Sequence, residues 1–173
     1  MQPSATPTTH SAIQTLDPRA GKYLIFHLSG EEFAIRVLEV REIMGLQDIT
    51  SVPQTAAYMR GVINLRGKVI PVIDLRLKFG LPEAEYTQRT CIIVVNVQSA
   101  AEGALVMGII VDGVAEVLNL TTQDIEDTPA FGDGMTVPYL LGMAKVGGKV
   151  KILLDIDHVL TSQEVHGVTG VVQ

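Results

Sequence analysis

The side chains in this chain whose types could do chemistry are few. They are the histidines His10, His27, His158 and His166, the single cysteine Cys91, and four acids at the ends of apolar runs, Asp74, Asp112, Asp155 and Asp157. None of the histidines has a sequence partner at metal-ligand spacing. Cys91 has no second cysteine to bond with, and it opens an apolar run, Cys91-Ile92-Ile93-Val94-Val95, without an activating neighbour, which reads as a buried strand cysteine. No Gly-x-Ser-x-Gly nucleophile elbow occurs. The segment from Gly61 to Val69 superficially resembles a phosphate loop. Such a loop needs four residues between its glycines and a hydroxyl after the lysine; here five separate Gly61 from Gly67, and Val69 follows Lys68. Asp74, Asp112 and Asp155 could pair as general acid and base in a cleft. Helix caps and turns explain them more simply, because each stands where an apolar strand ends. The sequence therefore calls for no enzyme, no cofactor and no metal. A small-ligand or catalytic barrel built on those three aspartates is the alternative reading.

The elements that must position these residues are short. Strand-length β-branched runs occupy 23–28, 68–73, 91–97, 104–111 and 150–154, separated by turn material such as Ser29-Gly30 and Gly147-Gly148. Helical stretches are expected at 37–44, 56–59 and 75–79, with another after Asp155. Residues 1–20 lack hydrophobic periodicity and read as a disordered lead-in, and 164–173 read as a flexible tail. The pattern is β-rich and lacks long βαβ crossovers, so an all-β fold is expected.

An internal repeat organises the middle of the chain. At an offset of 81 residues Tyr58 and Gly61 fall on Tyr139 and Gly142, Gly67-Lys68-Val69 on Gly148-Lys149-Val150, and Asp74 on Asp155. Earlier in each half the offset is 74 to 76, so that Phe33-Ala34-Ile35 meets Met107-Gly108-Ile109 and Val40-Arg41-Glu42-Ile43 meets Val114-Ala115-Glu116-Val117. The change of offset places an insertion near 131–135, a loop by its glycines. Each unit, with its short strands, is expected to close into its own small barrel, since closure removes exposed edges.

Composition narrows the function classes. The 173 residues are 47% hydrophobic and only 18% charged, with a net charge of −6. An acidic chain has little sequence-independent pull on nucleic acid, and an anionic membrane surface is a poor partner. The apolar runs are too short to span a bilayer, and no export signal is visible, so a cytoplasmic location is expected. What remains is surface. The segment 33–43 has more apolar positions than one buried face needs, which makes Ile35, Leu38 and Val40 candidates for lining a groove. Glu42 and Arg66 end corresponding elements of the first half, and Arg66 has no basic counterpart in the second, where Gly147 stands.

The block Gly61-Val62-Ile63-Asn64-Leu65-Arg66-Gly67, followed by Val69-Ile70-Pro71-Val72-Ile73-Asp74-Leu75-Arg76, resembles the CheW family of bacterial chemotaxis coupling proteins. Val40-Arg41-Glu42-Ile43 and Gly108-Ile109-Ile110-Val111-Asp112-Gly113-Val114 match as well, and the resemblance covers about 22–163. It implies two SH3-like five-stranded β-barrels packed around a shared hydrophobic core, with short helices. The domain would occupy 21–163, with one subdomain at about 30–85 and the other at about 86–155, the latter joined by the N-terminal strand. It further implies a non-catalytic adaptor without cofactors. Its partners would be the cytoplasmic tip of chemoreceptors and the regulatory domain of the histidine kinase CheA, with no nucleic acid and no membrane insertion. By position, Glu42 and Arg66 match a charged pair near the family's receptor-binding surface. Ile35, Leu38 and Val40 would line the groove, with Ile110 and Val111 contributing from the second half. The kinase-contact residues stay unassigned.

Overall fold

In the computed structural model, which describes residues 16–128 and 139–161, the chain forms eleven strands, five of which hold the expected β-branched runs. These are β1 (Gly21–Leu28), β2 (Glu31–Arg36), β3 (Val40–Gly45), β4 (Met59–Leu65), β5 (Lys68–Asp74), β6 (Cys91–Ser99), β7 (Gly103–Val111), β8 (Gly113–Leu120), β9 (Ile125–Glu126), β10 (Leu140–Val146) and β11 (Lys149–Leu154). The helices are α1 (Leu75–Lys78) and α2 (Ile156–Thr161), with 3₁₀ turns at Val37–Glu39 and Thr122–Asp124. The helix expected over 37–44 is confined to that 3₁₀ turn, because Val40 and Ile43 pair with β6 as strand residues. The stretch 56–59 is a turn leading into β4. The expected insertion at 131–135 lies outside the described residues.

The strands form two sheets, ordered β8-β1-β2-β11-β10-β9 and β3-β6-β7-β5-β4. The sixth strand of the first sheet, β9, has two residues; its counterpart in the other sheet is the isolated bridge of Thr50 to Val62. The repeat is visible in the register. Val72 faces Gly108 in the parallel pair β5–β7, and Leu153 faces Ala34 in the parallel pair β11–β2. Each of these residues lies at the repeat position of its twin. Asp74 and Asp155 donate their backbone N–H to the carbonyls of Tyr58 and Tyr139, both at 2.8 Å.

The expectation that each unit closes its own barrel is corrected by this topology. The hairpin β1–β2 that opens the first unit lies in the sheet of β8–β11, and the hairpin β6–β7 that opens the second lies in the sheet of β3–β5. One sheet thus draws on 21–36 and 113–154, the other on 40–74 and 91–111, rather than dividing near residue 85. The cause is the parallel pairing: β5 and β11 each follow a tight hairpin, and the free flank of each is filled by a strand of the other unit.

Three cores result. Ile63, Ile70, Val72, Ile92, Val94 and Ile110 fill one barrel, and Tyr23, Ile25, Ala34, Leu120, Ile125, Ala144 and Leu153 fill the other. Between them, Phe26, Ile35, Ile93, Val95, Ile109, Val111, Leu154 and Val159 pack with both helices into a shared core. Phe26, Phe33, Phe79 and Tyr139 continue it as a ladder with successive ring centroids 6.0, 5.9 and 5.3 Å apart.

The chain ahead of β1 is stapled to the second barrel. Arg19 donates to the Leu141 carbonyl at 2.7 Å and pairs with Asp17 and Asp127, and the Asp17 N–H donates to Thr122 Oγ1 at 3.0 Å. Hydrogen bonds from the Arg19 side chain and N–H hold the Asp17 carboxyl down at about 2. Across the β2–β11 joint the Lys151 ammonium, 2.6 Å away, likewise lowers Glu32. A carboxyl with a depressed folded pKa contributes stability above its unfolded pKa and loses it as pH falls through the folded value. The contribution of these two carboxyls to the thermal midpoint is therefore expected to hold above about pH 4 and to be lost between about pH 4 and 2. Arg19→Ala should blunt that fall in a series of melts; an unchanged acid profile would show that the staple contributes nothing.

Candidate docking surface

Strands β3 and β4 are opposite edges of the five-stranded sheet, and the sequence brings them back together. Met44 near the end of β3, and Leu46 and Ile49 after it, pack on the barrel core beside Leu65. Thr50 then exchanges two backbone hydrogen bonds of 2.9 Å with Val62 of β4. This seam needs a glycine at Gly61. The residue has φ of 141°, and a Cβ there would sit 2.0 Å from the Thr50 carbonyl oxygen.

Glu42 and Arg66 span the same seam. Arg66 donates through Nη2 to Glu42 Oε2 at 2.5 Å and through Nη1 to Oε1 at 3.4 Å. Arg66 sits with Gly67 in the two-residue turn joining β4 to β5, where Leu65 faces Lys68. Both turn residues have positive φ, 50° and 87°, the geometry of a type I′ hairpin turn. An L-residue with a Cβ pays about 1–2 kcal/mol for that conformation. The equivalent turn of the other barrel uses Gly147 and Gly148, at 61° and 79°, and avoids the penalty. Arginine therefore stands at a position that its own repeat fills with glycine. The Arg66 side chain is 70% exposed and that of Glu42 27%, so the pair adds little to stability, typically about 0.2–1 kcal/mol. On the same hairpin Val69, across from Asn64, is 68% exposed.

The other candidates divide. Leu38 is 92% exposed on the 3₁₀ turn, at the edge of an open cleft of about 330 Å³ lined by Arg19, Lys22, Tyr23 and Arg36. Beside it, burial first and the charge of Asp157 second push the Glu39 carboxyl up to about 7. Val40 is half-buried against the shared core. Ile35, Ile110 and Val111 do not line a groove: all three are buried, Ile35 and Val111 in the shared core and Ile110 inside the first barrel. No described contact joins Leu38 to the Glu42–Arg66 pair. Sequence reading missed Val69 and Ile43 and their exposed repeat partners Val150 and Val117. The alternation of outward Val69 with inward Ile70 was the available signal for the first.

The three aspartates serve structure. Asp74 is buried, caps α1 by accepting from the Arg76 N–H, and accepts from the Tyr86 hydroxyl at 2.9 Å. Asp112 binds the Arg76 guanidinium at 2.9 and 2.8 Å and accepts from the Ser29 N–H. Burial alone would raise its carboxyl, but these donors outweigh burial and lower it. Asp155 pairs with His158, one helical turn on. Asp74 and Asp112 both converge on Arg76, which keeps them in structural bonds, and Asp155 lies apart at the start of α2. Burial raises the Cys91 thiol, which suppresses thiolate chemistry. Among the described residues no group of three or more His, Cys, Asp or Glu side chains is placed to hold a metal, and no helix is long and apolar enough to cross a membrane.

Two interlocked SH3-like barrels, with their acids committed to structure and a charged hairpin tip and apolar side chains on the outside, define a protein-binding scaffold. A family model described as the CheW-like domain matches residues 22–164. The chain is 41% identical to the chemotaxis protein CheW of Klebsiella aerogenes, over 83% of each chain. It is 41% identical to that of Bacillus subtilis, over 82% of this chain and 88% of the relative. The crystal structure of the scaffolding protein TtCheW from Thermoanaerobacter tengcongensis superposes with a TM-score of 0.71 at 31% identity, covering 81% of this chain and 92% of that one. The chain belongs to the CheW family, and it is a non-catalytic coupling adaptor of chemotaxis signalling.

Proposed function

We propose that this protein works in the cytoplasm, holding the helical tips of chemoreceptors against the regulatory domain of the histidine kinase CheA, with the Glu42–Arg66 seam as its receptor-facing site. The observation that carries this reading is Arg66 itself, standing at a left-handed turn position that the sister barrel gives to Gly147. Backbone strain clusters at functional sites, and Arg66 is both strained and largely exposed to solvent. Receptor tips are helical hairpins, and a helix laid along the seam would meet Val69 as an apolar contact and the ion pair as its orienting charge. Kinase contact, barrel against barrel, is supported by the exposed apolar pair Ile43 with Val117, which gives the two barrels equivalent faces.

Arg66→Gly is expected to have two separable effects. Relief of the left-handed strain should offset loss of the ion pair, so thermal stability is expected to hold or rise by up to about 1 kcal/mol. Receptor binding should weaken tenfold or more. Loss of stability with retained binding would make Arg66 a structural residue. The role as a whole is tested by reconstituting receptor, kinase and this protein; receptor control of autophosphorylation that proceeds equally well without it rules the coupling reading out.

A further inference from the structure

We propose that Asn64 is a positioning residue that holds the Arg66 hairpin tip in its binding geometry, an inference that rests on Arg66 as the receptor-facing charge. Asn64 is exposed, and its Oδ1 accepts a hydrogen bond from the Gly67 N–H at 2.8 Å, across the turn that contains Arg66. A type I′ turn forms readily with glycine or asparagine at its first position and poorly with arginine. Without the added bond the tip can relax to turns with negative φ at Arg66, which swing the guanidinium away from Glu42.

The other two-residue turns show when a brace is used. Ser29-Gly30, between β1 and β2, also begins with a non-glycine at positive φ, 53°. Its Ser29 N–H is held by Asp112 Oδ2 at 2.7 Å. Gly147-Gly148 needs no such help, and among the described residues no side chain bonds to it. The residue standing at Asn64's place there is Lys145, which faces Glu126 instead, at 3.5 Å. Side-chain braces therefore accompany the strained turns and are absent from the relaxed one.

Asn64 thus acts through Arg66, without itself having to touch the partner. The test compares Asn64→Ala with Asn64→Asp, which keeps the acceptor, in the full chain. Readouts are binding to a soluble receptor-tip fragment, the thermal midpoint and amide hydrogen exchange at Gly67. Asn64→Ala is expected to weaken binding tenfold or more and to speed Gly67 exchange at least tenfold, with both recovered in Asn64→Asp. In an Arg66→Gly background Asn64→Ala should leave the midpoint and residual binding unchanged, because a Gly-Gly tip needs no brace. Wild-type binding by Asn64→Ala, where Arg66→Glu abolishes it, overturns the positioning role and leaves the docking reading standing. An equal loss in the Arg66→Gly background also overturns it, since Asn64 would then touch the partner directly. If Arg66→Glu itself leaves binding intact, the docking reading fails; unaltered Gly67 exchange in Asn64→Ala then overturns the brace, and faster exchange upholds it.

Discussion

Arg66→Glu is expected to abolish co-sedimentation of this protein with receptor-containing membranes while leaving its fold intact. The two halves of that outcome have separate causes. Reversal replaces an attraction at 2.5 Å with two carboxylates, but Arg66 is 70% exposed, so its side chain can swing into water. The expected cost to folding is within about 1 kcal/mol. At an interface the same change leaves a partner charge desolvated opposite a like one, a loss of about 2–5 kcal/mol or some 30- to several-thousand-fold in affinity. Glu42→Lys should act the same way. The double reversal, Glu42→Arg with Arg66→Glu, restores the ion pair but presents it backwards, and is expected not to recover binding. Recovery would mean that the pair matters only for the seam. Retained binding by both single reversals would remove this surface from consideration.

Gly61→Ala is expected to be the most destabilising conservative substitution in the first barrel. The added methyl would meet the Thr50 carbonyl oxygen at 2.0 Å, a backbone atom fixed by two hydrogen bonds to Val62, and the residue's φ of 141° is itself hostile to a side chain. Neither obstacle yields without parting the segment after β3 from β4. A loss of at least about 3 kcal/mol follows from such a clash with rigid backbone, or a fall in melting temperature on the order of 10 °C for a chain of this size. Gly142 is its twin, and a Cβ there meets Arg19 Nη1 at 2.6 Å and the Glu126 carbonyl at 2.7 Å. The first is the end of a mobile side chain and the second a longer approach, so Gly142→Ala should be milder. A urea titration of both variants checks the order; a Gly61→Ala protein as stable as wild type would show that the seam closes in some other way.

Strands β1, β5, β6, β7 and β11 and the repeat were legible because β-branched runs, Gly-bearing turns and the two Asp-started helices recur in the same order; β2, β3, β4, β8 and β10 were not, because charged residues or glycine interrupt their apolar runs. Nor was the partner of each strand. Periodicity says which residues of a strand share a face, but a parallel neighbour from the other unit leaves no mark in local sequence. The misplaced groove residues have the same origin. β7 reads as apolar on both faces because it is buried on both: Ile109 and Val111 point into the shared core and Ile110 into the barrel. An excess of apolar positions there signals a strand between two cores, where a surface groove had been expected. Arg66 stood out in sequence only by comparison with Gly147, and the strain that gives the comparison meaning is a backbone angle.

The exchange of hairpins also fixes what one unit of the repeat can do alone. A chain ending after α1 would hold β1–β5 but lack the β6–β7 hairpin that its β5 pairs with, so it could not complete either sheet. Two copies of such a chain could close both barrels only by trading their first hairpins, and the present molecule has the connectivity of that traded pair joined end to end. The joining orders events at the ribosome. The barrel of β3–β7 can close once β7 has been made, but β2 waits for β11, and Glu32 must find Lys151 119 residues later. The strands synthesised first are thus among the last to reach their final neighbours.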